Sequence, residues 1–178
     1  MTTAMRQPTP DDSHRVTELC GRAFADRTIW PQAPTITGLS DLNLGRGAFS
    51  IVLKVELSWP TGGSSGSSSN MPPSIVAKLP VGGPNGEAAV ASGAYQREAL
   101  AYRQLLRYDA DRHPQTTPRV YLVDEPGHGT CSLLLEDLSG HRAVDQLDGL
   151  NETEATLVAE ELATLHQSWR NSDRLAEL

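Results

Sequence analysis

Five short runs of this chain have the apolar or alternating pattern of β-strands, and one long helical pattern separates the third run from the fourth. The runs cover residues 35–44, 50–59, 74–80, 119–123 and 131–135. A loop is predicted over 81–88, and the helical pattern that follows it covers about 89–107. Consecutive strands without intervening helices favour antiparallel pairing. The order therefore predicts an α+β fold, in which one helix packs against a mostly antiparallel five-stranded sheet.

Composition excludes several classes of protein. The chain has 178 residues, 38% of them hydrophobic, and a net charge of −7, which argues against nucleic-acid binding because no basic face is present. No run is apolar enough to span a membrane, and the N-terminus lacks the apolar core of a secretory signal. The two cysteines, Cys20 and Cys131, lack metal-ligand spacing. We expect a soluble, cytoplasmic protein without a metal site of its own.

The chain contains only two lysines, and one of them, Lys78, lies within an apolar strand. Lysine is rarely buried without a partner, and Glu98 flanks the apolar face of the next predicted helix. We therefore predict an ion pair between Lys78 and Glu98. The alternative is an edge-strand lysine whose side chain reaches water. Lys54 alternates with Glu56 on its strand, which favours a solvated cross-strand role.

A glycine-rich turn joins the first two predicted strands. It consists of Gly45, Arg46, Gly47, Ala48, Phe49 and Ser50. Glycines at such a turn let backbone N–H groups approach phosphate oxygens, although a tight hairpin turn alone is the simpler explanation. Together with Lys78 and Glu98, the turn suggests a site that binds a polyphosphate.

Residues 60–73 are rich in glycine and serine and predict a flexible connector.

The last part of the chain is predicted to be helical. After Gly140 the sequence favours helix, and Asn151 with Glu154 forms a candidate capping box. The apolar stripe that follows, from Val158 to Trp169, has no partner downstream. We expect the chain to end before a second, helical lobe is complete.

Five motifs in this order resemble the small-molecule branch of the protein-kinase-like fold, namely aminoglycoside phosphotransferases, choline kinases and ecdysteroid-kinase-like enzymes. The motifs are residues 44–52, 76–78, 95–102, 133–138 and 162–166. Apolar residues at spacings of three and four predict a helix over 11–28, within an N-terminal lead-in of residues 1–34. The resemblance covers about residues 36–170 and implies a nucleotide-binding N-lobe ending in a hinge over 35–138 and the start of a helical C-lobe over 139–178.

The resemblance also implies ATP as cofactor. Residues 45–50 would then cover its phosphates, and Val52 would pack on the adenine. Lys78, held by Glu98, would bind the α- and β-phosphates, while backbone groups of Glu136 and Leu138 would meet the adenine edge. Phosphoryl transfer depends on such positioning and charge neutralisation.

The family's catalytic base and magnesium-binding residues are expected beyond Leu178, so Mg²⁺ is expected only in an intact protein. We thus interpret the chain as part of an ATP-dependent phosphotransferase that acts on a small-molecule alcohol, and we expect it to be inactive alone. Sugar, aminoglycoside, choline-like and sterol-like acceptors all stay open. One alternative is a non-catalytic nucleotide-binding or scaffold module, and another is an α+β domain in which Lys78 is structural.

Overall fold

The structure is a computed structural model that describes residues 7–42, 49–60, 71–106, 117–142, 144 and 148–172. Its elements are α1 (Pro10–Phe24), β1 (Thr35–Asp41), β2 (Ser50–Ser58), β3 (Ser74–Pro80), α2 (Gly83–Ala91), α3 (Ala94–Leu100), a π-helical segment (Ala101–Leu106), β4 (Val120–Gly127), β5 (Thr130–Glu136) and α4 (Glu152–Trp169). The predicted α+β class is confirmed.

The five strands form one sheet in the order β1-β2-β3-β5-β4, and every neighbouring pair is antiparallel. This confirms the predicted sheet. The strand that carries Lys78, β3, lies at the centre of the sheet between β2 and β5. The alternative of an edge-strand lysine is therefore wrong.

One face of the sheet packs against α1 and the segment that follows it. The capping box of Thr9 and Asp12 starts α1, and its apolar side chains meet the sheet. Trp30 is buried there and contacts the rings of Phe24, Trp59 and Tyr121. The buried residues of β2 and β3 on this face include Leu53, Val55, Ile75 and Ala77. This face is a closed apolar core.

The opposite face is covered by α2 and α3 over the β5 and β4 half of the sheet. Tyr95 and Ala99 of α3 pack with Leu133 and Leu135 of β5, and all four are buried. The predicted apolar face of this helix is confirmed at these positions. Because successive strand residues point to opposite faces, Lys78 lies on this second face, opposite Leu133 in the register.

Two predictions about the segment before β4 are wrong. Residues 81–88 were expected to form a loop, but α2 begins at Gly83, with a proline in its first turn. Gly86 allows this helix to lie close to the end of β3, since a Cβ there would be 1.9 Å from the Val81 carbonyl oxygen. The single helix expected over 89–107 is also interrupted at Gly93, whose φ of +68° ends α2 before α3 begins.

The last helix, α4, begins as predicted. The Asn151 side chain accepts a hydrogen bond from the Glu154 N–H, and the Glu154 carboxylate accepts one from the Asn151 N–H, each at 3.0 Å. Its Leu157, Val158 and Leu162 side chains are exposed. Among the described residues, no helix has the length and apolar character to cross a membrane.

Candidate functional site

Lys78 and Glu98 form the predicted ion pair. The Nζ of Lys78, on β3, contacts the Oε1 of Glu98, on α3. The lysine side chain is 30% exposed and the glutamate side chain 25% exposed. Both charges therefore lie at the rim of the packed region, where a ligand can still reach them. The ion pair predicted from the sequence is therefore confirmed.

The sheet surface beside Lys78 is apolar. Val52 on β2 is directly opposite Lys78, and Leu133 on β5 is opposite it on the other side. Val76, two residues before Lys78 on the same face, is buried, and Leu135 opposite it is buried as well. Leu133 and Leu135 are covered by α3, so the apolar side chain beside Lys78 that is still partly exposed is that of Val52. An aliphatic side chain suits an aromatic ring, and the ammonium suits an anion.

The residues of the predicted glycine turn are only partly described. Gly45, Arg46, Gly47 and Ala48 lie outside the described residues. Phe49 and Ser50 are described, and the Phe49 side chain is exposed. The adjacent strands β1 and β2 are antiparallel, and Leu42 donates a backbone hydrogen bond to Val52 at 3.0 Å. Residues 43–48 therefore connect β1 to β2, the strand whose Val52 is opposite Lys78.

Tyr95 links the helix of Glu98 to this turn. Its hydroxyl donates a hydrogen bond to the Phe49 carbonyl oxygen and accepts one from the Val81 N–H at 3.2 Å. Burial raises the pKa of the Tyr95 phenol, which keeps the hydroxyl protonated and able to donate. In the sequence pattern, Tyr95 counts only as an apolar residue of the helix. A tyrosine on an apolar helix face could have predicted these contacts, because a buried tyrosine hydroxyl usually finds a hydrogen-bond partner.

Glu136 and Leu138 lie where the resemblance places a hinge, after the buried strand β5. The Glu136 N–H donates to the Arg119 carbonyl at 2.8 Å, and its carboxylate accepts from the Arg119 N–H at 3.0 Å. The Leu138 carbonyl accepts from the His141 N–H at 2.9 Å, and its side chain is exposed. The Glu136 N–H is therefore committed to the sheet, and the contact of Glu136 and Leu138 backbone groups with an adenine edge stays a prediction.

Lys54 does not have the solvated cross-strand role that the sequence suggested. Its Nζ lies 3.1 Å from Oδ2 of Asp137 and 3.5 Å from the Ser139 hydroxyl. Both of these partners belong to residues 136–139, which we call the hinge segment after the resemblance. The Ser74 hydroxyl donates to the same Oδ2 at 2.5 Å. The prediction failed because the alternation within one strand carries no information on a carboxylate from another part of the chain.

Neither cysteine has the properties of a nucleophile. Cys20 and Cys131 are both buried. Burial raises the pKa of the Cys20 thiol to about 12 and that of the Cys131 thiol to about 11. At neutral pH both are thiols rather than thiolates, which are the reactive form. Thiol chemistry is therefore not a function that these two residues support.

Comparison with known proteins identifies the family. Searches of curated proteins and of solved structures find no significant match. The model of the ecdysteroid kinase-like family, in contrast, matches residues 45–168. This range includes the glycine turn, both lysines, Glu98 and the hinge segment. The chain thus belongs to the ecdysteroid kinase-like family.

Proposed function

We propose that this chain provides the ATP-binding part of a phosphotransferase that phosphorylates a hydroxyl group of a small molecule. The observation that carries the proposal is the partly exposed Lys78–Glu98 ion pair beside the apolar side chain of Val52. Membership of a kinase-like family supports the same chemistry. In this proposal, residues 35–138 form the nucleotide-binding lobe, and residues 139–178 begin a helical lobe.

Lys78 is assigned to the phosphates because of its charge and its anchorage. The net charge of −7 makes the chain as a whole repel a polyphosphate, so binding requires a local cation. Glu98 holds the ammonium group in one position at the sheet surface. A fixed cation binds an anion with less loss of side-chain entropy than a mobile one. The turn that contains Gly45 and Gly47 would add backbone N–H donors.

The apolar surface is assigned to the base. Val52 and Val76 lie next to one another on the face of Lys78, since Val52 is opposite Lys78 and Val76 is two residues before it. A purine stacked on these side chains would extend toward the hinge segment, where the Glu136 carbonyl and the Leu138 N–H are proposed to meet its polar edge. The chain's own residues bind and orient the nucleotide, and none of them is assigned as catalytic base or metal ligand.

The experiment is a comparison of three ligands: ATP, adenosine and inorganic tripolyphosphate. We expect the 178-residue chain to bind ATP, and Lys78→Met to weaken ATP and tripolyphosphate binding by roughly 10- to 100-fold, the range for a hydrogen bond to a charged group. Adenosine affinity should stay the same. Calorimetric titration of each ligand measures this, with circular dichroism to verify folding.

Arg22→Met is the matched control. Arg22 also forms an ion pair, with Asp124 at 2.7 Å, but on the α1 side of the sheet. The control removes one positive charge without touching the proposed site, so all three affinities should be unchanged. Equal losses in Lys78→Met and Arg22→Met would show that only net charge matters. A folded wild-type chain that does not bind ATP would overturn the proposal.

A further inference from the structure

Asp137 connects three parts of the chain at the end of the proposed site away from Lys78. Its Oδ2 accepts a hydrogen bond from Ser74, the first residue of β3, and contacts the Nζ of Lys54, on β2. Its Oδ1 accepts from the Ser139 N–H at 2.8 Å. One carboxylate thus ties the hinge segment to both strands that form the apolar surface.

The surroundings of Asp137 indicate that this connection is held firmly. The Asp137 side chain is only 8% exposed, whereas that of Lys54 is 30% exposed. Burial acts to raise the pKa of Asp137, but hydrogen bonds from Ser139, Ser74 and Lys54 outweigh it and lower the pKa well below the ordinary range. Asp137 is therefore ionised and fully engaged by donors at neutral pH.

Lys54 lies in the right place to act on base binding through this carboxylate. On β2 it is two residues after Val52, and in the register it is opposite Val76. Asp137 stands between Glu136 and Leu138, whose backbone groups are assigned to the base edge. A displacement of Asp137 would shift both of these neighbours along the chain, and with them the distance between the hinge segment and the apolar surface.

We propose that Lys54 and Asp137 are positioning residues that hold the hinge segment at the correct distance from β2 and β3 for the base of a nucleotide. This inference rests on the proposed function. It gives the two lysines separate tasks: Lys78 contacts the phosphates, and Lys54 acts through Asp137 at the base end. Lys54 itself need not touch the ligand.

The test again uses ATP, adenosine and tripolyphosphate, because a positioning role at the base end separates them. Lys54→Met is expected to weaken ATP and adenosine binding by the same factor, roughly three- to tenfold, the range for residues that act without ligand contact. Tripolyphosphate affinity should be unchanged. Lys54→Arg, which keeps the charge, should restore most of the affinity for ATP and for adenosine.

Two further variants keep the test decisive if Lys54→Met folds poorly. Ser74→Ala removes one hydrogen bond to Asp137 and should show the same ligand pattern with a smaller loss. Combining Lys54→Met with Asp137→Asn should weaken ATP no more than one of the two changes alone, since both break the same contact. Arg22→Met is the control for loss of a distant ion pair and should leave all affinities unchanged.

The possible outcomes separate failure of the positioning role from failure of the proposed nucleotide site. If the wild-type chain binds ATP but Lys54→Met and Ser74→Ala both bind all three ligands normally, the positioning role is wrong and the nucleotide site stands. If Lys54→Met weakens tripolyphosphate as much as adenosine, Lys54 is a phosphate ligand or a general stabiliser instead. If the wild-type chain binds none of the ligands, the proposed site and this role are both overturned.

Discussion

The two lysines lie on the same face of the sheet with equal exposure, but their carboxylate partners differ. Each lysine side chain is 30% exposed. Glu98, the partner of Lys78, is 25% exposed, whereas Asp137, the partner of Lys54, is 8% exposed and accepts further hydrogen bonds from Ser74 and Ser139. Equal exposure of the two lysines thus goes with different surroundings of their carboxylate partners. Under the proposed function, the number of donors on the carboxylate separates the ion pair that a ligand can reach from the one that positions the hinge segment.

The largest expected difference between the two pairs concerns stability. Asp137→Asn should lower the free energy of unfolding by roughly 2–3 kcal/mol, because it removes a charge that several donors satisfy in a nearly buried place. Glu98→Gln should lower it by less than about 1 kcal/mol, since a more exposed pair contributes little. Urea denaturation of both variants measures this. Equal losses would mean that the two pairs are energetically alike.

Tyr95→Phe should produce an intermediate effect at the end of the site near Lys78. Loss of the hydroxyl leaves the Phe49 carbonyl and the Val81 N–H without this partner and should cost roughly 1–2 kcal/mol of stability. ATP and tripolyphosphate affinities should fall by a small factor while adenosine affinity is unchanged. Urea denaturation and the same titrations measure these effects. A loss of affinity confined to adenosine would contradict the placement of Tyr95 at the end of the site near Lys78.

The contribution of Asp137 to the free energy of unfolding should fall at acidic pH. The pKa of Asp137 is lowered in the folded chain relative to the usual value of about 3.9, so its stabilisation is present above that value and is lost as the pH falls toward the folded pKa. The stability difference between wild type and Asp137→Asn should thus be constant from pH 7 to 5 and shrink below about pH 4. Urea midpoints across this range measure it. A difference that stays constant to pH 3 would contradict the lowered pKa.

The smallest effect is expected for the ion pair of Arg22 with Asp124 on the other side of the sheet. The Arg22 side chain is half exposed. Arg22→Met should leave the free energy of unfolding essentially unchanged, as is usual for surface pairs. The measurement sets the baseline against which the pairs of Lys54 and Lys78 are compared. A loss as large as that of Asp137→Asn would remove the distinction between surface and hinge pairs.

The number of strands, their antiparallel pairing and the Lys78–Glu98 contact could be predicted from the sequence. Apolar alternation located all five strands, with ends that differ from the structure by a few residues. Lys78 stood out because an apolar strand is an unusual place for one of only two lysines. The helix that supplies Glu98 follows the strand directly in sequence, so a local argument could pair them. Assignment of these residues to a nucleotide stays a prediction.

The features that sequence reasoning missed depend on contacts or on the conformations of single glycines. Residues 83–88, within the predicted loop, form the start of α2 with Pro84 in its first turn, and Gly93 then interrupts the helical pattern before α3. Asp137 appeared to be an ordinary residue at a strand exit, because its partners Lys54 and Ser74 are distant in sequence. Only the sheet register brings these three together.

The most direct test of the account uses the presence of only two lysines in the chain. Incorporation of ¹³C-labelled lysine gives two ε-methylene signals by NMR, which Lys54→Arg and Lys78→Arg assign. Titration with tripolyphosphate should move the Lys78 signal in a saturable manner and leave the Lys54 signal in place. A Lys78 signal that does not respond to tripolyphosphate or ATP, or a response of Lys54 alone, would contradict the claim that Lys78 is the cation of a polyphosphate site.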